Sequence, residues 1–327
     1  MKSTQLIELC VALFLGACGG SSRDEEGVGA GAILYDRAPE GFAVTTAGGA
    51  PIGLPIATDS SHVFWFDEQG GYLAPEGPIF VRSKLAHSSP RALVDRTYAA
   101  STTCKRFASD GVSFFWFDNV IRKASKRGGA PIAVTSTSTW VSAIALDLTH
   151  VYFTNDQAIQ RVPKGGGRVE TIATGEAIRA ALAVDEGFVY FADDAAASLA
   201  RVPKDGGALE TIALGVTGVG DIEVDGTSVY WSVPSAGLVA TVWKRWAGAP
   251  TILAAEMPRD DGWELLDIAV DALNVYYERP ATNELMRVSK WGGSRRVLAS
   301  PSSLGFLTVD STHVYWSEDG AVVRIRK

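Results

Sequence analysis

The sequence has few of the residues that most often carry chemistry. Among its 327 residues there are only three cysteines and four histidines. It contains no G-x-S-x-G nucleophile motif, no H-E-x-x-H zinc motif and no sialidase-type Asp box. The common hydrolase and metallopeptidase patterns are therefore excluded, and we predict neither a cofactor nor a bound metal.

Positive charge and long apolar runs are scarce as well. Thirty Lys and Arg stand against 37 Asp and Glu, for a formal net charge of −7, so nucleic acid is a poor candidate partner. The apolar run at residues 9–15 is too short to span a bilayer. The hydrophobic content of 46% is nevertheless enough for a large core, and no polar tract divides the chain. One large, monomeric domain is expected.

The first 40 residues are typical of an exported and anchored protein. Residues 1–17 combine a positive start, a short apolar run and small residues, as in a secretory signal peptide. The tetrad L-G-A-C that ends at Cys18 resembles the bacterial lipobox, which implies acylation of Cys18. By the same resemblance, Gly19 favours the outer membrane of the bacterial cell envelope. Residues 18–40, rich in Gly, Ser and acid, would form a flexible tether of about 25 Å reach. An ordinary secretory signal is the alternative.

Cysteine usage adds one expectation. Cys10 would be removed with the signal and Cys18 would be acylated, which leaves Cys104 alone. No intramolecular disulfide is therefore expected.

A short pattern recurs along the rest of the chain. An apolar run that ends in aspartate is followed by a second run of β-branched and aromatic residues, most clearly in V-D-S-T-H-V-Y-W at residues 309–316. The repeat aspartates are Asp59, Asp110, Asp147, Asp185, Asp225, Asp271 and Asp310. They are separated by 51, 37, 38, 40, 46 and 39 residues. A period near 40 built from such runs is typical of the blades of a β-propeller.

Each repeat divides into four strands, a to d. Strand a ends at the aspartate, strand b is the aromatic run, and strand c carries patterns such as I-Q-R-V-P-K at residues 159–164. A glycine pair such as Gly166-Gly167 then allows a tight turn into strand d, which is predicted at residues 170–173, 210–213 and 296–299. The sequence thus predicts an all-β, seven-bladed β-propeller of four-stranded antiparallel blades over residues 41–327. Because the last repeat stops after strand c, residues 41–46 are expected to close the ring as an N-terminal strand.

The combination of V-Y-W, I-x-R-V-P-K and Gly-Gly, preceded by I-A-V-D, is similar to the YWTD repeats of receptor propellers and to NHL-type and bacterial YWTD-like repeats. The resemblance covers about residues 42–327 and implies the fold. It says little about function, because such propellers include binding modules, scaffolds and a few lyases.

We expect structural roles for the polar residues that recur in every repeat. Aspartate is favoured in turns because its carboxylate accepts hydrogen bonds from nearby backbone N–H groups. His62, His150 and His313 share the slot three residues after the aspartate. Equivalent positions in neighbouring blades lie about 10 Å apart, too far to share a zinc ion. A turn-filling role is therefore predicted for these histidines.

Ligand-binding residues are predicted on the face that carries the b–c and d–a connections, because loop length varies there. Trp140 and Trp263 are the main candidates, since a flat ring can stack on a sugar or anchor a protein contact. Further candidates close strand b: Asp67, Asp118, Asp193, Arg279 and Glu318. In YWTD-like propellers the acid after strand b is often structural, and that is the alternative for the acidic candidates. Trp246 and Trp291 are placed on the opposite face. Glu223 occupies a strand-a slot that is Ala or Thr elsewhere, and is a candidate for the central channel.

The sequence favours a lipid-anchored, non-enzymatic binding or scaffolding module at the cell envelope, with an envelope protein or glycan as partner. The alternative is a lyase or hydrolase that acts on an envelope polysaccharide or peptide through carboxylates on the loop-rich face.

Overall fold

Apart from one short 3-10 turn at Pro280–Thr282, the elements of the described residues are all β-strands. A computed structural model describes residues 56–66, 76–85, 90–98, 107–135, 141–155, 157–233, 238–243, 250–257, 267–318 and 321–327. In these ranges no helix is long and apolar enough to cross a membrane.

The strands form sheets in which consecutive strands are neighbours and run antiparallel. The first strands are β1 (Ile56–Thr58), β5 (Phe107–Ser109), β9 (Ala143–Leu146), β13 (Ile178–Val184), β17 (Asp221–Val224), β21 (Ile268–Val270) and β25 (Leu307–Val309). The second strands are β2 (His62–Phe66), β6 (Ser113–Asp118), β10 (His150–Thr154), β14 (Phe188–Asp193), β18 (Ser228–Val233), β22 (Asn274–Arg279) and β26 (His313–Glu318).

The third strands are β3 (Glu76–Ser83), β7 (Val120–Ser125), β11 (Ala158–Pro163), β15 (Ser198–Pro203), β19 (Leu238–Trp243), β23 (Glu284–Ser289) and β27 (Ala321–Arg326). The fourth strands are β4 (Arg91–Tyr98), β8 (Ile132–Ala133), β12 (Glu170–Thr174), β16 (Glu210–Leu214), β20 (Thr251–Ala255) and β24 (Arg296–Ala299). Each first strand contacts the first strand of the next sheet, and β25 contacts β1. The sheets are therefore arranged in a closed ring, the architecture of a β-propeller.

The prediction of seven four-stranded blades is wrong. The described residues form six four-stranded blades and one three-stranded sheet, β25–β27, which we call the final sheet. Within the described residues no fourth strand pairs with β27. Residues 41–46, predicted to supply the missing strand, lie outside the described residues.

The core lies between the blades. The second strands are buried along most of their length because both faces of each sheet are covered by neighbours. Tyr152 and Ile159 of the third blade, for example, pack with Val189 and Phe191 of the fourth. The outer fourth strands are half exposed, as in the partly exposed strand β12. Binding residues must therefore come from the two rims of the ring or from its centre.

The ring is closed by side chains where the final sheet meets the first blade. Val63 and Trp65 of β2 pack against Tyr315 of β26 and Val322 of β27, and all four residues are buried. This contact joins the two ends of the propeller without any backbone pairing between the two sheets in the described residues.

Candidate functional site

The repeat aspartates form the turns between first and second strands. In the third blade, Asp147 Oδ1 accepts hydrogen bonds from the backbone N–H groups of Thr149 and His150, both at 2.7 Å. Its Oδ2 accepts the hydroxyl of Tyr152 at 3.0 Å. The same Oδ1 pattern occurs at the other repeat aspartates. The predicted structural role of these aspartates is confirmed.

A lysine from the following sheet pairs with the second carboxylate oxygen of almost every repeat aspartate. The pairs in the described residues are Lys84–Asp310 (2.5 Å), Lys126–Asp59 (2.9 Å), Lys164–Asp110 (2.6 Å), Lys204–Asp147 (2.8 Å), Lys290–Asp225 (2.6 Å) and Lys327–Asp271 (2.5 Å). We call this set the inter-blade lysine ladder. It runs around one rim of the ring, and the Lys84–Asp310 pair links the first blade to the final sheet.

The ladder keeps its carboxylates ionised. Burial by itself would raise the pKa of Asp59, but hydrogen bonds from Lys126 and from the backbone of Ser61 and His62 outweigh it and lower the pKa to about 2. Burial and the neighbouring Asp147 carboxylate raise the pKa of Tyr152 above its usual value. Charged aspartate and neutral tyrosine therefore persist over the physiological range, as a structural contact requires.

The histidines of the repeat also have turn contacts. The Nδ1 atoms of His62, His150 and His313 lie 2.7, 2.8 and 2.8 Å from the hydroxyl oxygen of the preceding Ser or Thr. These three contacts lie within the turn of each histidine, as predicted. Across the described ranges, no group of three or more His, Cys, Asp or Glu side chains is placed to hold a metal ion.

On the opposite rim, two predicted ligand candidates brace their own loops. Asp118 is buried and its Oδ2 accepts Arg122 Nε at 2.9 Å. Asp193, also buried, accepts the backbone N–H of Ala195 at 3.0 Å and that of Ala177 at 3.2 Å. The Asp118 bond joins the end of β6 to strand β7, and the Asp193 bonds join the end of β14 to the b–c connection at Ala195 and to the d–a connection at Ala177. Ligand binding by the two carboxylates stays a prediction.

Glu318 and Arg279 are held in a similar way. Glu318 Oε1 accepts the backbone N–H and the hydroxyl of Ser302, both at 3.0 Å. Arg279 donates to Glu256 at 3.1 Å and to Glu284 at 2.6 Å. The partners come from the preceding d–a connection and from the start of β23, so the arginine fastens two connections of this rim together. A ligand role for either residue likewise stays a prediction.

The structure places the remaining predicted residues as follows. Glu223 is half-buried in the first strand β17, where it pairs in register with Tyr230. Asp67, Trp140, Trp263 and Cys18 lie outside the described residues, and Cys104 and Trp246 lie outside them too.

A cleft that the sequence did not point to opens on the lysine-ladder rim, between the fifth and sixth blades. Its volume is about 540 Å³, and its lining includes Thr227, Tyr230, Thr251, Lys290 and Trp291. Small-ligand sites commonly measure about 300–1,000 Å³. The Lys290–Asp225 pair forms its charged part, with the Tyr230 hydroxyl 3.0 Å from Asp225.

Trp291 is the feature of this cleft that packing does not explain. Its side chain is 65% exposed, and it is the one large aromatic residue in the exposed class among the described side chains. The equivalent turn positions hold Leu85, Arg127, Gly165 and Asp205. A comparison of these turn positions across the repeats is the signal that would have singled it out.

Comparison with solved structures places these observations in context. A streptogramin B lyase superposes with a TM-score of 0.64 at 12% identity, over 85% of this chain and 94% of that chain. The extracellular domain of the one-component system BT4673 from B. thetaiotaomicron gives 0.64 at 12% identity, over 86% and 39%. A structure from a nidogen/laminin complex gives 0.51 at 17% identity, over 70% and 89%.

What these proteins share with this chain is the β-propeller fold. Identities this low show nothing about activity or ligand. No family model matches the sequence, and no curated protein does. The similar structures include propellers from extracellular proteins and from a lyase, so the fold is compatible with binding and with catalysis.

Proposed function

We propose that this protein is a lipid-anchored β-propeller of the bacterial cell envelope that acts as a non-enzymatic binding or scaffolding module. The proposal rests on the structural contacts that the recurrent polar residues make. The aspartates and lysines hold neighbouring blades together, and the histidines hold their own turns. These side chains are engaged in contacts that stabilise the ring. Recognition is therefore assigned to the loop-rich rim.

The anchor part of the proposal rests on Cys18 and the residues before it. Two or three acyl chains on one cysteine would hold the ring at a membrane surface without crossing it. Residues 18–40 would separate the ring from that surface. The likeness to an extracellular domain supports a location outside the cytoplasm.

Replacing Cys18 by serine tests the anchor. The variant should move from the membrane fraction to the soluble envelope fraction, while Cys104→Ser, the matched control, stays with the membrane. A Cys18→Ser protein that stays in the membrane fraction after a salt wash would contradict the anchor.

The binding part places the partner, an envelope protein or glycan, on the loop-rich rim, to which the sequence assigns Trp140 and Trp263. The double variant Trp140→Ala, Trp263→Ala should capture at least about tenfold less partner from envelope extracts than the wild type does. Its melting temperature should stay within a few degrees of the wild-type value. Leu85→Ala, at an exposed turn position of the other rim, is the matched control. If only the control variant loses the partner, the rim has been assigned wrongly.

A lyase or hydrolase of an envelope polysaccharide or peptide is the second candidate, favoured by the similarity to a streptogramin B lyase. It would use carboxylates of the loop-rich rim, such as Asp118, Asp193 or Glu318. Incubation of purified protein with envelope polysaccharide and peptide, followed by mass spectrometry, separates the two functions. New products that disappear in carboxylate variants would favour the enzyme.

A further inference from the structure

We propose that the cleft between the fifth and sixth blades binds a neutral carbohydrate, with Trp291 as its stacking platform. The cleft lies on the lysine-ladder rim, opposite the loop-rich rim of the proposed function. The inference is therefore independent of that function and can stand if the other rim binds nothing.

The Trp291 indole is exposed in a turn whose geometry does not require it. Trp291 directly follows the ladder lysine Lys290 in the turn between β23 and β24, and its ring is exposed while its backbone N–H donates to Ser289 Oγ at 3.2 Å. Gly292 and Gly293, with φ of 82° and 106°, complete the turn. The turn geometry depends on the backbone and the glycines, so the fold does not need an indole here. A large exposed ring beside a cleft costs solubility and is typical of a binding platform.

The walls of the cleft combine hydroxyl groups with an apolar surface. Thr227 and Thr251 are exposed and line the cleft with hydroxyl groups, beside the apolar Ala272. Hydroxyls that donate and accept, next to a flat aromatic face, match a sugar ring, which has hydroxyls at its edge and apolar C–H groups on its face.

The charged groups of the cleft are paired with each other. Asp225 and Lys290 lie 2.6 Å apart, with side chains 23% and 9% exposed, so the positive and negative groups of the cleft compensate each other. The carboxylate also accepts the Tyr230 hydroxyl, and the lysine lies over the Tyr230 ring at 5.4 Å. An anionic ligand would meet Asp225 and a cationic ligand would meet Lys290, each at the cost of the existing pair. A neutral ligand leaves the pair intact.

The size of the cleft fits the same class. About 540 Å³ lies within the usual range for small-ligand sites and suits a short oligosaccharide segment.

The full chain, in a detergent that carries no sugar, is titrated with maltotriose, cellotriose and tri-N-acetylchitotriose, and binding is measured by isothermal calorimetry. At least one trisaccharide should bind saturably to the wild type. Trp291→Ala should weaken it by at least about tenfold, and Trp291→Phe by less. Thr251→Val, which removes one hydroxyl and keeps the shape, should weaken binding about threefold.

Leu85→Ala is the matched control, because Leu85 is 77% exposed at the equivalent turn position of the first blade. Its affinity should equal that of the wild type, and all four variants should keep the wild-type melting temperature. The proposal is overturned if none of the three sugars binds the wild type, or if Trp291→Ala binds as tightly as Leu85→Ala. Stronger binding of trigalacturonate, an anionic trisaccharide titrated in the same way, than of any of the three neutral sugars would also overturn it. Loss of membrane attachment or of loop-rim capture is not expected in any of these variants, so the two proposals fail separately.

Discussion

Replacing Lys126 by methionine removes one rung of the inter-blade lysine ladder. Lys126 Nζ lies 2.9 Å from Asp59 Oδ2 across the contact between the first and second blades. It also lies over the Phe64 ring, 4.6 Å from the centroid. The lysine side chain is 9% exposed and the aspartate side chain 22%. Methionine keeps the length and apolar stem of lysine, so the substitution removes the charge and little of the packing.

The size of the effect follows from the burial of the pair. Exposed ion pairs contribute about 0–1 kcal/mol, whereas removing one partner of a fully buried pair costs about 3–5 kcal/mol. Asp59 would keep its backbone N–H donors, Ser61 and His62, both at 2.8 Å. We therefore expect Lys126→Met to lower the free energy of unfolding by about 2 kcal/mol. For a domain of this size the melting temperature should fall by about 3–4 °C.

Urea denaturation and thermal melting of the two variants Lys126→Met and Arg127→Met provide the assay. Arg127 is the next residue along the chain and is exposed, so its loss should change stability by less than about 0.5 kcal/mol. A double-mutant cycle with Asp59→Asn should give a coupling energy of about 1–2 kcal/mol for the pair. If Lys126→Met is as stable as Arg127→Met, the ladder does not hold the blades together and the structural role given to it is refuted.

Three further results are expected. Asp59 has a pKa of about 2 in the folded protein against 3.8 normally, so the stability it contributes is present above about pH 4 and is lost as the pH falls towards 2. The melting temperature should therefore drop across this range, and a melting temperature that does not change with pH would argue against the ladder. Gly166→Ala should lower the free energy of unfolding, measured by urea denaturation, by about 1–2 kcal/mol because the φ of Gly166 is 87°. Gly165→Ala, one position earlier in the same turn, should leave it almost unchanged, and equal losses in the two variants would contradict the turn assignment. Tyr152→Phe removes the hydroxyl that donates to the repeat aspartate and should cost about 1 kcal/mol in thermal melting; since the first blade already has Phe64 in this slot, a loss of folding would contradict the expectation.

Much of the fold was predictable because each blade repeats the same local rules. The period of the aspartates and the Gly-Gly turns indicated four-stranded units, and β24 begins and ends at the predicted residues, 296 and 299. The fourth strands β12 and β16 each extend one residue further than predicted. The blade count failed at the end of the chain, where the final sheet has three strands and periodicity alone does not say what pairs with its edge.

The candidate site was harder to predict because it depends on contacts between blades. The repeat lysine and the repeat aspartate stand in fixed slots, and their opposite charges in every repeat were visible in the sequence. Their pairing across blades follows only once neighbouring turns are seen to meet on one rim. Trp291 was assigned to the rim opposite the expected ligand. Its exposure beside a cleft depends on the packing of the fifth blade against the sixth, which no local pattern encodes.

The central claim is that the protein binds an envelope component without changing it, and the mass of that component tests the claim most directly. Material captured from envelope extracts by the full chain would be eluted, analysed by mass spectrometry, and incubated again with fresh protein for many hours. The account predicts saturable capture and an identical mass before and after the second incubation. A ligand whose mass changes with time, at a rate proportional to the amount of protein, would contradict it.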